Sequence, residues 1–230
     1  MGIDESLPFK LLKIAEEKLK NYPNENFFPL VSNFKNTKET AFFPGGRGFY
    51  YERKADFNSS IKEIKILILG NDFGKEKDFE QHLDGNKKDI ETNTWINLIK
   101  LLDSVSSQFP YHNCFFSNAY LGLRLNSYQK SGNSPFFKDK TYHDLSIKIF
   151  LEHLKIIQPK VIICLGNNPG KFLNDVFNKK KMEWFEVYDT SEMDDFPIIK
   201  IMKIYHPCMN PNHIKNLENK KKIKNILSDI

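Results

Sequence analysis

The chain has few cysteines and no long apolar run, and each absence excludes a class of protein. Its 230 residues include only Cys114, Cys164 and Cys208, with no CxxC pair. Neither a structural zinc site nor a four-cysteine iron–sulfur cluster can be built from them, so we expect buried thiols in a reducing compartment. No apolar stretch approaches the roughly 18 residues that cross a bilayer, and the N-terminus lacks the order of a signal peptide. We therefore expect a cytoplasmic protein without a membrane segment.

The chain also has only a small excess of one sign of charge. The net charge is +5 and the pI is about 8.9, while 40% of the residues are apolar and 27% are charged. This is ordinary globular composition, and the modest positive excess is compatible with a polyanionic partner. Much of the excess lies in the run KNLENKKKIK, which is typical of the solvated face of a terminal helix.

The pattern of apolar residues divides the chain into an extension and a core. Residues 1–60 predict an amphipathic helix over 3–20 and an irregular aromatic stretch, which we expect to pack on the core. From residue 61 onward, short apolar runs alternate with helical patterns, which predicts βαβ units. Residues 61–230 therefore predict an α/β domain, a three-layer sandwich around a four-stranded, mainly parallel sheet. The predicted strands are EIKILILG, NCFFSNAY, VIICLG and PIIKIMKIYHP.

Polar or glycine-containing segments follow all four predicted strands. They hold Asp72, Asn118 and His206, together with the glycine turns GNDFG and GNNPG. Ligands of open α/β sheets bind at the carboxyl ends of the strands, so we expect these side chains to share a cleft. Taken singly, Asp72 is equally compatible with a turn or a helix cap, and His206 with a structural role.

Four motifs resemble the uracil-DNA glycosylase superfamily over about residues 60–227. ILILGNDFG is similar to the water-activating motif, GQDPY in the housekeeping enzymes, and CFFSNAY to the strand whose last Asn recognises the pyrimidine. PKVIICLGNNPGKFL is similar to the LGxxA strand and helix, and IYHPCMNP to the histidine motif HPSP. The resemblance implies a DNA glycosylase that hydrolyses the N-glycosidic bond of uracil or a related damaged base during repair.

The resemblance also implies roles for particular residues. Asp72 would orient water and stabilise the sugar cation, and His206 would stabilise the departing base. Asn118 would pair with the pyrimidine edge. An aromatic ring, Phe73 or Phe79, would stack on the flipped base, and the backbone of Gly70, Asn71 and Phe73 would help to hold base or phosphate.

Departures from the motifs keep alternatives open. Phe73-Gly74 replaces the Pro-Tyr pair whose tyrosine excludes thymine in the housekeeping enzymes, and Met209 stands where an inserting side chain would be expected. A non-catalytic nucleic-acid- or partner-binding protein with the same fold, or another nucleoside-processing hydrolase, is therefore a competing hypothesis.

The remaining signals are weaker. The aromatic stretch PGGRGFYYERK, with Arg47 and Arg53, suits either a nucleic-acid groove or a strap on the core. His206, Cys208 and His213 lack the spacing of a metal site, so we expect no metal and no cofactor. The expected partner is uracil-containing or damaged DNA, bound by a monomer.

Overall fold

A computed structural model describes ten stretches of the chain. They are residues 6–23, 28–34, 40–49, 64–76, 93–105, 114–125, 135–179, 181–191, 197–208 and 214–227. The helices are α1 (Leu7–Leu19), α2 (Asn93–Val105), α3 (Lys140–Ile157), α4 (Asn167–Val176) and α5 (Ile214–Leu227). The strands are β1 (Ile66–Gly70), β2 (Cys114–Asn118), β3 (Val161–Leu165), β4 (Val187–Asp189) and β5 (Lys200–Ile204).

The strands form one five-stranded sheet in the order β2-β1-β3-β5-β4. The pairs β1–β2, β1–β3 and β3–β5 are parallel, and only β4 runs antiparallel, at the edge. The chain crosses from β1 to β2 on one side and then returns to β3 on the other side. Strand order therefore reverses beside β1, and a crevice is expected at the carboxyl end of the sheet at this point.

The predicted α/β class and the mainly parallel sheet are confirmed, but the predicted count of four strands is wrong. The missed strand is β4, which has three residues and an exposed, half-buried, exposed pattern. A strand this short carries no apolar run, and its pairing with β5 is decided by tertiary contact. The predicted boundary between an extension at 1–60 and a domain at 61–230 stays a prediction.

Alternate residues of β1 separate the two halves of the core. Leu67 and Leu69 join a cluster that includes residues of α1, α3 and α4. Ile66 and Ile68 join a second cluster with α2 and α5. All four side chains are at most 1% exposed, and burying each contributes about 1.5–3 kcal/mol. The helices thus cover both faces of the sheet and make three layers.

Helix α3 has a side-chain cap at its N-terminus. Asp139 caps it, since the Asp139 carboxylate accepts a hydrogen bond from the Tyr142 backbone N–H at 2.9 Å. Tyr22, from the turn after α1, donates its hydroxyl to the same carboxylate at 2.6 Å. The cap therefore also joins the N-terminal helix to the core. None of the helices in the described ranges is long and apolar enough to cross a membrane.

A buried histidine provides a second contact between α1 and α3. His153 is 4% exposed, and its Nε2 lies 2.8 Å from the Leu11 carbonyl oxygen. Because a carbonyl only accepts, Nε2 carries the proton. Burial lowers the pKa of His153 from 6.5 to about 4, so the folded protein holds this imidazole neutral.

His153 should make the protein sensitive to acid. Below pH 6.5 His153 is protonated in the unfolded chain, whereas in the folded chain it is protonated only below about pH 4. Stability should be complete above pH 6.5 and fall by about 3 kcal/mol between pH 6.5 and 4. Denaturant unfolding at several pH values measures the free energy of unfolding. This free energy should depend less on pH in His153→Gln, which keeps a donor for Leu11. An equal dependence on pH in the two proteins would contradict the assignment.

Candidate functional site

The three predicted polar residues lie at the carboxyl ends of the parallel strands, here called the carboxyl edge of the sheet. Asp72 follows β1, Asn118 ends β2 and His206 follows β5, and these strands are parallel. Asn118 and His206 are separated by three strand spacings, about 14 Å between backbones. Two side chains and a six-membered ring placed between them can span this distance.

Asn118 is a buried residue that ends β2 and carries a side-chain amide. It is 6% exposed and pairs in register with Gly70 of β1. Throughout the described stretches, its side-chain amide makes no hydrogen bond. An amide that makes no hydrogen bond within these stretches can accept and donate hydrogen bonds to a ligand.

Gly70 makes room for that amide. A Cβ atom on Gly70 would lie 2.2 Å from Asn118 Oδ1 and 3.2 Å from Phe42 Cε1. Real Cβ contacts are longer, so a side chain here would push the amide or the ring away. The backbone beyond the strand is also paired, since Ala119 N–H donates to Gly70 O and Tyr120 N–H donates to Asn71 O, at 2.9 and 3.0 Å.

The Asp72 carboxylate is held by several donors. Its Oδ1 accepts from the Gly74 N–H at 2.8 Å and lies 3.3 Å from Arg124 Nη2. Its Oδ2 accepts from Asn71 Nδ2 at 2.8 Å. The bond to Gly74, two residues on, is that of a turn-forming aspartate. The Asp72 side chain is 4% exposed, so the carboxylate is oriented by the protein rather than by solvent.

Sequence reasoning did not identify Arg124. Its side chain is 11% exposed and also donates from Nε to Gly74 O at 3.2 Å. It lies 52 residues from Asp72 along the chain, within the apolar segment LGLRL. No local pattern indicates this pairing.

Asn71 contributes a second amide. Its Oδ1 is buried and has no hydrogen-bond partner in the structure as described, while its Nδ2 is engaged by Asp72. The predicted binding loop, Gly70 to Phe73, therefore presents a buried acceptor next to the carboxylate.

His206 is held in a donor form. Its Nδ1 accepts a hydrogen bond from the Cys208 backbone N–H at 3.3 Å, so the neutral ring carries its proton on Nε2. The residue remains exposed, yet enough protein surrounds the imidazole to lower the pKa of His206 through desolvation. Nε2–H is thus available as a neutral donor.

Two neighbours position His206: Asn219, which the sequence did not single out, and Gly166 of the GNNPG turn. Asn219 of α5 is fully buried and clamps the preceding residue, donating from Nδ2 to Tyr205 O at 2.9 Å and accepting from Tyr205 N–H at 3.0 Å. Gly166 follows β3 with φ +97°, and a Cβ there would lie 3.5 Å from His206 Cβ. The backbone conformation favours glycine, and the histidine packs beside it.

The aromatic candidates differ in placement. Phe73 is 8% exposed and packs in a small cluster with Val31 and Leu123. Phe79 and Met209 lie outside the described residues, as do Arg53 and His213. Phe49 is buried and packs on the core, with its ring centroid 5.2 Å from that of Phe115. Arg47 is exposed. Across the described ranges, no three His, Cys, Asp or Glu side chains are grouped as a metal site requires.

Gly70→Ala should displace the Asn118 amide, because the added Cβ would lie 2.2 Å from Oδ1. We expect a destabilisation of about 1–3 kcal/mol from overpacking and a shifted NMR resonance of the Asn118 side-chain amide. Gly170→Ala is the matched control, since its Cβ would lie 2.7 Å from Lys203 Cδ and Asn118 is not among its nearest atoms. An unmoved Asn118 resonance in Gly70→Ala would refute the close approach.

Comparisons with known proteins do not supply a family. No protein-family model matches the sequence, and no curated protein matches it. The functional interpretation therefore depends on the chemistry of this edge and on the four motifs that resemble the glycosylases.

Proposed function

We propose that the protein is a DNA glycosylase that hydrolyses the N-glycosidic bond of uracil or a related damaged base. The observation that carries the proposal is the Asn118 amide, which is buried, lacks a protein partner among the described residues and lies at the carboxyl edge of the sheet. Asp72 and His206 follow strands that end at the same edge. The sheet architecture is compatible with a glycosylase of the uracil-DNA type.

The amide of Asn118 matches the edge of uracil. Oδ1 would accept from the base N3–H, and Nδ2 would donate to O4. Cytosine presents the reverse pattern at both atoms, so a fixed asparagine would discriminate between the two bases. Burial strengthens the discrimination, since a mismatched amide would stay unsatisfied without access to water.

Breaking the bond between C1′ and the base nitrogen sends the electron pair to the base. Nε2–H of His206 would donate to uracil O2 and stabilise the resulting anion, which a neutral imidazole does without first losing a proton. The Nδ1 contact with Cys208 and the lowered pKa of His206 both favour this form.

The sugar becomes positively charged as the base leaves. The Asp72 carboxylate would stabilise this cation and accept a proton from the water whose oxygen attacks C1′. The donors from Asn71, Gly74 and Arg124 hold the carboxylate in one orientation. Such preorganisation is what electrostatic catalysis requires.

The partner would be DNA, bound by a cytoplasmic monomer in base excision repair. A net charge of +5 favours contact with phosphates, and phosphate contacts supply most non-specific affinity.

A second candidate is a nucleic-acid- or partner-binding protein that has lost base excision. The observation that favours it is the burial of the Asp72 side chain, 4% exposed, in an ion pair with Arg124. A carboxylate in that position serves the loop structure whether or not it meets a substrate.

Asp72→Asn separates the two candidates. If Asp72 is catalytic, single-turnover excision of uracil from an oligonucleotide should fall about 10²–10⁴-fold, while DNA binding stays close to that of the parent. The melting temperature of the variant should also be lower, because the partly buried Arg124 loses its counter-ion. Breaking such a pair costs about 3 kcal/mol.

The double variant Asp72→Asn/Arg124→Gln removes both charges and is the control for stability. It should recover most of the melting temperature and remain inactive. Recovery of activity together with stability would show that Asp72 acts only through the fold.

Asn118→Asp tests recognition of the base edge. A carboxylate cannot donate to uracil O4, so uracil excision should fall about 10–100-fold, equivalent to one lost hydrogen bond, and cytosine excision should rise relative to it. Asn174→Asp is the matched control, because its Oδ1 accepts from Met182 N–H at 3.1 Å on another element and aspartate keeps that acceptor. A folded Asn118→Asp protein with the parent's base preference would contradict the role.

A further inference from the structure

The N-terminal segment borders the candidate site on both sides of Asn118. Residues 29–31 pair with 121–123, through Val31 N–H to Leu121 O and Leu123 N–H to Pro29 O, both at 3.0 Å. Residues 43–48 pair with β2 itself, through Phe43 N–H to Phe116 O at 2.9 Å and Phe116 N–H to Gly48 O at 2.8 Å. The segment is therefore hydrogen-bonded to the strand that carries the amide.

Phe42 and the Asn118 amide both lie over Gly70. Phe42 Cε1 and Asn118 Oδ1 approach the same point above Gly70, at 3.2 and 2.2 Å from where a Cβ would stand. Unlike Asn118, Phe42 is only half-buried, so part of the ring is open to solvent. A half-exposed aromatic ring and the Asn118 amide thus both lie at the end of β1.

The ring is held in place from two directions. Its edge-to-face neighbours are Trp95 and Phe116, with ring centroids 5.3 and 5.8 Å away. The backbone of Phe42 is fixed by a tight turn, because its carbonyl accepts from Gly46 N–H at 2.9 Å and from the Thr40 hydroxyl at 3.1 Å. A Cβ on Gly46 would lie 1.7 Å from Thr40 O, so this turn requires glycine.

We propose that Phe42 is the aromatic contact for the base, and that the site takes a planar pyrimidine ring between the phenyl surface and the Asn118 amide. The inference rests on the proposed function, and it assigns a specificity-determining residue to the N-terminal segment. Bases that leave the stack are read by hydrogen bonds on their edge and by stacking on aromatic side chains. Phe42 would combine with Asn118 to supply both. Phe42 packs against the cluster of Val31, Phe73 and Leu123 and is half-buried, whereas Phe73 is buried within that cluster.

Binding of a free base tests this contact apart from catalysis. The Asn118 side-chain amide resonance, followed by NMR, reports binding of uracil and of 5,6-dihydrouracil, which has the same hydrogen-bonding edge but a puckered ring. The parent should bind uracil more tightly than dihydrouracil. Phe42→Leu should weaken uracil binding about 5–100-fold, the usual effect of losing one base–aromatic stack, and should abolish the preference for the planar ring. Phe42→Tyr, which keeps the ring, should stay close to the parent.

Phe43→Leu is the matched control. The side chain of Phe43 is 1% exposed and packs on Phe115 and His153 in the opposite half of the core. This variant should melt earlier than the parent and bind uracil unchanged.

The outcomes distinguish this inference from the proposed function. If the parent excises uracil but Phe42→Leu binds and excises as the parent does, the Phe42 contact is refuted and the glycosylase proposal stands. If the parent excises no base but binds uracil in a Phe42-dependent manner, the contact stands and the glycosylase proposal fails. A parent that neither binds nor excises uracil overturns both.

Discussion

The parallel pairing of β1 with β2 is the constraint on which the candidate site depends. It sets Gly70 opposite Asn118, and only a residue without Cβ leaves space for the amide there. The pairing is stabilised by strand residues that are almost completely buried on both faces of the sheet. The hydrophobic core therefore supports the strand pairing that places the Asn118 amide over Gly70.

Electrostatics at this edge follow from the same geometry. Asp72 lies in the turn after β1, where its carboxylate accepts from Gly74 N–H and pairs with Arg124, which follows β2 in the chain. His206 lies in the turn after β5, where its Nδ1 accepts from Cys208 N–H. The carboxyl ends of the strands thus carry a carboxylate paired with Arg124 after β1 and a neutral donor after β5.

The N-terminal residues pair with the part of the chain that carries Asn118. The stretches 28–34 and 40–49 contact the strand and loop around Asn118, while α1 is joined to α3 through Asp139 and His153. Stability and the surroundings of the amide are consequently coupled through one segment. An apolar pattern alone does not distinguish such a segment from a passive cover.

The alternation of apolar runs determined the α/β class, the parallel strands and the polar residues at their ends, since these follow from local periodicity and from the direction of parallel crossovers. Asp72, Asn118 and His206 could be proposed as site residues because each ends an apolar strand or lies two residues beyond one. Tertiary structure alone decided the short strand β4, the ion pair of Asp72 with Arg124, the clamp of Asn219 on Tyr205 and the position of Phe42 over Gly70. Each of these joins residues far apart in the chain, and their contacts form only once the sheet has brought its strands together.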